Sequence, residues 1–164
     1  VENNKPSSTF ALKEIKTQPV LQGKLLVVED NKVNQMVLVG LLKKIGLFAD
    51  VAENGKIALQ MLATKRYDLI LMDCQMPVMN GFEATLAIRQ SENTDSRIPI
   101  IAVTANAHTT DRTACIEVGM DDFIPKPIKA DILSHKLSEW LCQDKLGKKT
   151  NPANPTLSTR YSST

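Results

Sequence analysis

The sequence predicts an α/β fold, a doubly wound five-stranded parallel sheet with helices on both faces. Short apolar runs alternate with longer segments of helical period along the chain, which is the pattern of repeated strand–helix units. The stronger runs are also apolar almost without a break, as strands covered on both faces require, and two of these end in carboxylates.

Five strands are expected. LLVVED (residues 25–30) is a continuous apolar run ending in acids, and FADVAE (48–53) is a weaker, edge-like second. YDLILMD (67–73) repeats the apolar-then-acid form, IPIIAVTA (98–105) is the fourth, and DFIPKP (122–127) the fifth. Between them, Val33, Met36, Val37, Leu41 and Ile45 recur at helical spacing and mark the inner face of a first helix, which Gly46 stops. Asn54-Gly55 opens the second helix (Ala58, Leu59, Met61, Leu62) and Asn80-Gly81 the third (Phe82, Ala84, Ile88). Ile132, Leu133, Leu137, Trp140 and Leu141 stripe the fifth. The fourth (107–118) has three threonines and a thin apolar face from Ala107, Ala114, Cys115 and Val118, so it is expected to be the least firmly packed.

At 164 residues the chain suits one domain with flanking segments. Residues 1–22 are polar apart from Phe10, Leu12 and Ile15 and read as a linker; 145–164, with two Asn-Pro pairs and many hydroxyls, reads as a disordered tail. The domain is expected over 23–144. No signal-like opening precedes it, and the start at Val1 reads as a piece cut from a longer protein or a processed product. No apolar run approaches the ~20 residues that span a bilayer. Formal charge is +2 overall, but residues 23–144 carry 13 Lys+Arg against 16 Asp+Glu, a net of −3. A nucleic-acid-binding face is thereby disfavoured. Cys74, Cys115 and Cys142 have neither disulfide-framework nor zinc spacing, which fits a reducing, cytoplasmic setting.

In a doubly wound sheet the residues just past the carboxyl ends of the strands share one crevice. Applied to this chain, that rule gathers Glu29 and Asp30, Asp73, Thr104 and Lys126. Three crowded carboxylates repel one another unless a cation joins them, and hard oxygen ligands select Mg²⁺. A metal-held carboxylate can attack phosphorus, while an ammonium and a hydroxyl can each meet a phosphoryl oxygen. Taken singly, each residue also has a structural use. Glu29-Asp30-Asn31 can cap a helix, Asp73 can serve a turn before Pro77, Thr104 can satisfy backbone at a strand end, and Lys126 can be a solvated charge. His108 and His135 are expected as surface residues, Cys74 as packing behind the strand, and Met72, Met76 and Met79 as filler.

VVEDN at strand one, LMDCQMPVMNG after strand three, AVTANA at strand four and PKPI at strand five together resemble the two-component receiver family, over about residues 23–144. The resemblance implies a flavodoxin-like strand order 2-1-3-4-5 and Asp73 as phospho-acceptor. It implies Mg²⁺ held by Asp30, Asp73 and the backbone carbonyl of Gln75, with Glu29 acting through water. Thr104 and Lys126 would hold the phosphoryl group, and Lys126-Pro127 would be cis. Phe123 would follow Thr104 as the switch aromatic, without the hydroxyl of the Tyr often found there, and the face of helix four, strand five and helix five would change with phosphorylation.

The implied partner is a phosphohistidine donor, either a histidine kinase core or a histidine phosphotransfer domain. EDNxVNQ and MDCQMPVMNGFEAT are most similar to receivers joined to hybrid sensor histidine kinases, which would tether a cytoplasmic domain to the inner membrane through its parent. A stand-alone regulator is the alternative. Phosphorylation-dependent dimerisation stays open. An aspartyl-nucleophile phosphatase would want a DxD motif after strand one, where this chain has Glu29-Asp30-Asn31. A flavin domain would want a Ser/Thr/Gly-rich phosphate loop at the same place.

Overall fold

The expected apolar runs become strands whose alternate side chains feed two cores. A computed structural model of the chain describes residues 21–93, 95–105 and 109–142. Within them run β1 (Lys24–Val28), α1 (Lys32–Lys44), β2 (Phe48–Ala52), α2 (Gly55–Thr64) and β3 (Leu69–Asp73), followed by α3 (Gly81–Ser91), β4 (Ile100–Thr104), α4 (Thr109–Val118), β5 (Asp122–Pro125) and α5 (Ala130–Leu141). The strands are all parallel in the order β2-β1-β3-β4-β5. Leu25, Val27, Leu69, Leu71, Ile101, Val103 and Ile124 face α1 and α5, with Leu38, Leu42, Leu133 and Leu137 opposite. The intervening Leu26, Val28, Ile70, Met72, Ile100 and Ala102 pack with Ala58 of α2, Ala84 and Ile88 of α3 and Cys115 of α4. This period-two division puts helices on both faces. Leu21, just ahead of Gly23, is also buried in the α1/α5 core.

The termini expected from sequence carry their own hydrogen bonds. Asn31, Asn54 and Asn80 cap α1, α2 and α3, and Asn80 forms a reciprocal capping box with Glu83. Gly46, at φ +83°, closes α1: its N–H donates to Lys43 O and that of Leu47 to Leu42 O. A side chain there would meet its own backbone, so glycine suits the position. At the far end of the sheet, Asp121 accepts from Arg89, Arg97 and the Ile100 N–H, all at 2.8–2.9 Å. That clasp joins α3, β4 and the entry to β5.

The inner face of α1 needs correction. Val33 (67% exposed), Met36 (74%) and Val37 (48%) point outward, and the buried positions are Gln35, Leu38 and Leu42. Leu41 and Ile45 do pack partly against the core. Two apolar sets share this helix, and hydrophobic spacing alone does not say which one the sheet receives. The buried amide of Gln35 is satisfied by donating to Glu29 O at 2.6 Å. The thin packing expected for α4 is seen: of its described side chains only Cys115 is fully buried, and Ile116 is 47% exposed. The corrected face of α1 is testable by urea unfolding. Leu38→Ala should cost about 2–5 kcal/mol, and Met36→Ala within about 0.5 kcal/mol of nothing; equal costs would restore the rejected face.

Candidate phosphoryl and metal site

The parallel register lets β1, β3, β4 and β5 deliver residues at or just past their ends to one crevice. Glu29 follows β1 and is 1% exposed; Asp73 ends β3 at 4%, and Thr104 ends β4 at 7%. Lys126 follows β5, its N–H donating to Thr104 O at 2.8 Å. Asp30 is exposed at the mouth. Glu29, Asp30 and Asp73 each place a carboxylate oxygen within 4.8 Å of the other two. The Lys126 ammonium stands 3.2 Å from Glu29 Oε2 and 3.3 Å from Asp73 Oδ2. The crevice rule thus brings together the residues it named.

Burial alone would depress the Lys126 pKa, but the charges of Asp73 and then Glu29 outweigh it and hold the ammonium above its ordinary 10.5. It is therefore charged at neutral pH. Glu29 Oε1 is fixed by the Asn31 N–H at 3.0 Å. Its Oε2, by contrast, is the one buried side-chain oxygen among the described residues in no directed hydrogen bond, with the Lys126 ammonium the one positive charge paired with it. An orphaned buried carboxylate oxygen beside two further carboxylates fits a hard divalent cation, directly or through water.

Asp73 is positioned by its neighbours. Its Oδ1 accepts from the Gln75 N–H at 3.2 Å, and Gln75 itself lies exposed in the loop after β3. In that loop Val78 takes φ 72°, a strained value for a β-branched residue. The Cys74 N–H donates to Val103 O at 3.1 Å, and Cys74 O accepts from the Gly81 N–H at 3.2 Å. Burial first, then Cys115 and Asp73, push the Cys74 thiol well above its ordinary range, consistent with packing behind the strand. Met72 and Met76 are buried and Met79 packs partly on the same core.

Phe123 sits half-buried on β5 between two helices. Arg112 of α4 stacks on its ring at 4.2 Å from guanidinium to centroid, and the Lys136 ammonium of α5 lies at 5.8 Å. Asp122 beside it accepts from Lys136 and Trp140, both at 2.9 Å, which anchors α5 to β5. The Lys126-Pro127 peptide is cis. His135 is exposed and pairs with Glu139 at 3.1 Å, whereas His108 lies outside the described residues.

Sequence reasoning missed the reason for glycine at 81. A Cβ there would overlap the Asp73 carbonyl oxygen and crowd Cys74 Cα at 3.0 Å, so α3 can start against the end of β3 only without a side chain. The adjacent Asn-Gly reads as a helix start and conceals this contact. Gly81→Ala should therefore destabilise the fold by about 1–3 kcal/mol in urea. A neutral substitution would mean that the loop after Asp73 is not held by this contact.

The response regulator receiver domain model matches residues 25–138. The hybrid signal transduction protein dokA of Dictyostelium discoideum is 48% identical over 130 residues, covering 79% of this chain and 8% of that protein. Hybrid signal transduction histidine kinase B of the same organism is 46% identical over 129 residues, covering 72% and 7%. The chain thus spans less than a tenth of either relative. Among solved structures it is similar to the receiver domain of sensor histidine kinase PA1611 from Pseudomonas aeruginosa, which has a magnesium ion coordinated in its active site cleft. That match has 42% identity and a TM-score of 0.67, covering 73% of this chain and 98% of that one. It is also similar to a chain in the co-crystal structure of Saccharomyces cerevisiae Ypd1, a histidine phosphotransfer signaling protein, with the receiver domain of Ssk1. There the identity is 33% and the TM-score 0.70, covering 74% and 90%. Sequence, strand order and the convergence of acids at the strand ends agree, and the chain belongs to the response regulator receiver domain family.

Proposed function

We propose that Asp73 accepts a phosphoryl group from a phosphohistidine donor and that the modified state is read on the face formed by α4, β5 and α5. The observation that carries this reading is the Lys126 ammonium held between Glu29 and Asp73 where three carboxylates converge. An Asp73 oxygen attacks phosphorus, the bond from phosphorus to the histidine nitrogen breaks, and an acyl phosphate results. Lys126 meets one phosphoryl oxygen and the Thr104 hydroxyl another. Asp30, Asp73 and the Gln75 carbonyl would hold Mg²⁺, with Glu29 acting through water; when bound, the ion neutralises charge on the phosphoryl oxygens. As Thr104 turns toward the phosphoryl group, Phe123 follows and leaves its stack on Arg112, which passes the change to α4.

The donor is a protein. Val33, Met36 and Val37 on α1 and Val78 after β3 are exposed apolar side chains on the two segments that leave the site. An apolar surface there suits a partner that presents a histidine, and the Ypd1–Ssk1 complex supports a phosphotransfer protein in that role. The relatives support a place within a hybrid histidine kinase; in this reading residues 23–144 are the receiver unit, flanked by 1–22 and 145–164. The free thiols of Cys74, Cys115 and Cys142 fit a cytoplasmic placement, and among the described residues no helix is long and apolar enough to cross a membrane.

The test uses two donors with Mg²⁺, acetyl phosphate and a phosphohistidine protein. Both should give a base-labile adduct on Asp73 that Asp73→Asn abolishes. Met36→Asp should slow the protein donor about tenfold or more, a loss of roughly 1.4 kcal/mol, and leave acetyl phosphate unaffected. An adduct mapped to another residue, or one that survives in Asp73→Asn, would refute the reading.

A further inference from the structure

Cys74 and Cys115 are 41 positions apart in sequence, yet their sulfurs are 3.9 Å apart across the junction of β3 and α4. Two features set this pair apart from ordinary buried thiols. Cys74 contributes to the wall of an open cleft of about 490 Å³ with Gln75, Met76, Pro77, Asn80 and Phe82, so its side of the pair is the one nearer solvent, although the residue itself is only 5% exposed. Cys115 is the fully buried side chain among those described on α4, and a bond at its sulfur would act on the helix that the phosphoryl reading requires to move.

We propose that Cys74 and Cys115 form a peroxide-oxidisable dithiol whose disulfide ties α4 to the chain beside Asp73 and disconnects the α4–β5–α5 face from that site. The second half of this statement rests on the reading of Asp73 above. The first half stands on the geometry of the sulfurs and the cleft.

Cys74 meets the oxidant. Its sulfur attacks one oxygen of hydrogen peroxide, forming an S–O bond as the O–O bond breaks, and the departing hydroxide takes the thiol proton and leaves as water. The Cys115 sulfur then attacks the sulfenic sulfur: the S–S bond forms, the S–O bond breaks, and the second hydroxide leaves as water with the Cys115 proton. The two sulfurs lose two electrons and peroxide gains them.

To bond, the sulfurs must close from 3.9 Å to a length near 2.05 Å, an approach of about 1.9 Å. Cys74 has little freedom to move, because its N–H is bound to Val103 O and its carbonyl to the Gly81 N–H. The adjustment therefore falls on Cys115 and α4, the thinly packed side. Both thiols are buried, so conversion calls for sustained peroxide rather than a brief pulse.

Prolonged exposure of the protein to hydrogen peroxide, followed by non-reducing peptide mapping, tests the bond. The expected product is a peptide pair joining Cys74 to Cys115 that dithiothreitol releases, that Cys115→Ala lacks and that Cys142→Ser retains. The wild-type map decides alone if a variant fails to fold. Separate sulfinic acids at the two positions, or links through Cys142 only, would overturn the pairing. Amide exchange over Thr109–Val118 with Mg²⁺ and beryllofluoride tests the coupling. The reduced protein should show a change in exchange that the oxidised protein loses. An equal response in both overturns the coupling. No response in the reduced protein refutes the Asp73 reading and the coupling with it, while the mapped disulfide is judged separately.

Discussion

The structure depends on an electrostatic conflict at the carboxyl ends of its strands. Glu29 and Asp73 are almost fully buried, and Asp30 brings a third carboxylate within 4.8 Å. Like charges so close destabilise one another in a partly desolvated site. Lys126 answers part of that repulsion by standing between Glu29 and Asp73, and β5 brings it there through its backbone bond to Thr104. One ammonium does not balance three carboxylates, and Glu29 Oε2 still lacks a directed hydrogen bond. The remainder is the electrostatic demand that a divalent cation, and then a phosphoryl group, would meet in the proposed function.

The two ends of the sheet are built to different firmness. At the far end, the Asp121 carboxylate joins Arg89, Arg97 and the Ile100 N–H, and Arg89 also donates to Gly119 O and Ile98 O. Multiple charge-assisted bonds in a nearly buried setting fix that end. At the site end, α4 is held by Cys115, partly buried Val118 and the stack of Arg112 on Phe123. The cation–π contact is made by the ring face, which Phe123 presents without the hydroxyl of a tyrosine. A contact through the ring face depends on the orientation of the ring, which suits the signal carried by packing in the proposed function.

Much of this was legible in the sequence, for identifiable reasons. Strands β1, β3 and β4 are covered on both faces, so their apolar runs are unbroken and their ends are marked by Glu29, Asp73 and Thr104. Once the order of strands is a doubly wound one, the crevice follows from the chain's direction and the site residues from their positions. What stayed hidden depends on distance in space. The α1 face was misread because Val33, Met36 and Val37 share helical spacing with Leu41 and Ile45, and only the sheet's position shows that Leu38 and Leu42 are the ones it covers. Gly81 reads as a helix start, and its contact with the Asp73 backbone needs α3 in place. Nothing in the spacing of Cys74 and Cys115 brings their sulfurs together.

In the proposed function the uncompensated carboxylate charge at the strand ends makes a cation site. Urea unfolding with and without Mg²⁺ tests it directly, comparing wild type with Asp30→Asn, because Asp30 is exposed and its loss should spare the fold. A ligand at about 100 times its dissociation constant adds about 2.7 kcal/mol to stability. Wild type should gain an increment of that order at saturating Mg²⁺, and Asp30→Asn should lose most of it. An equal gain in both proteins, or none in wild type, would contradict the account.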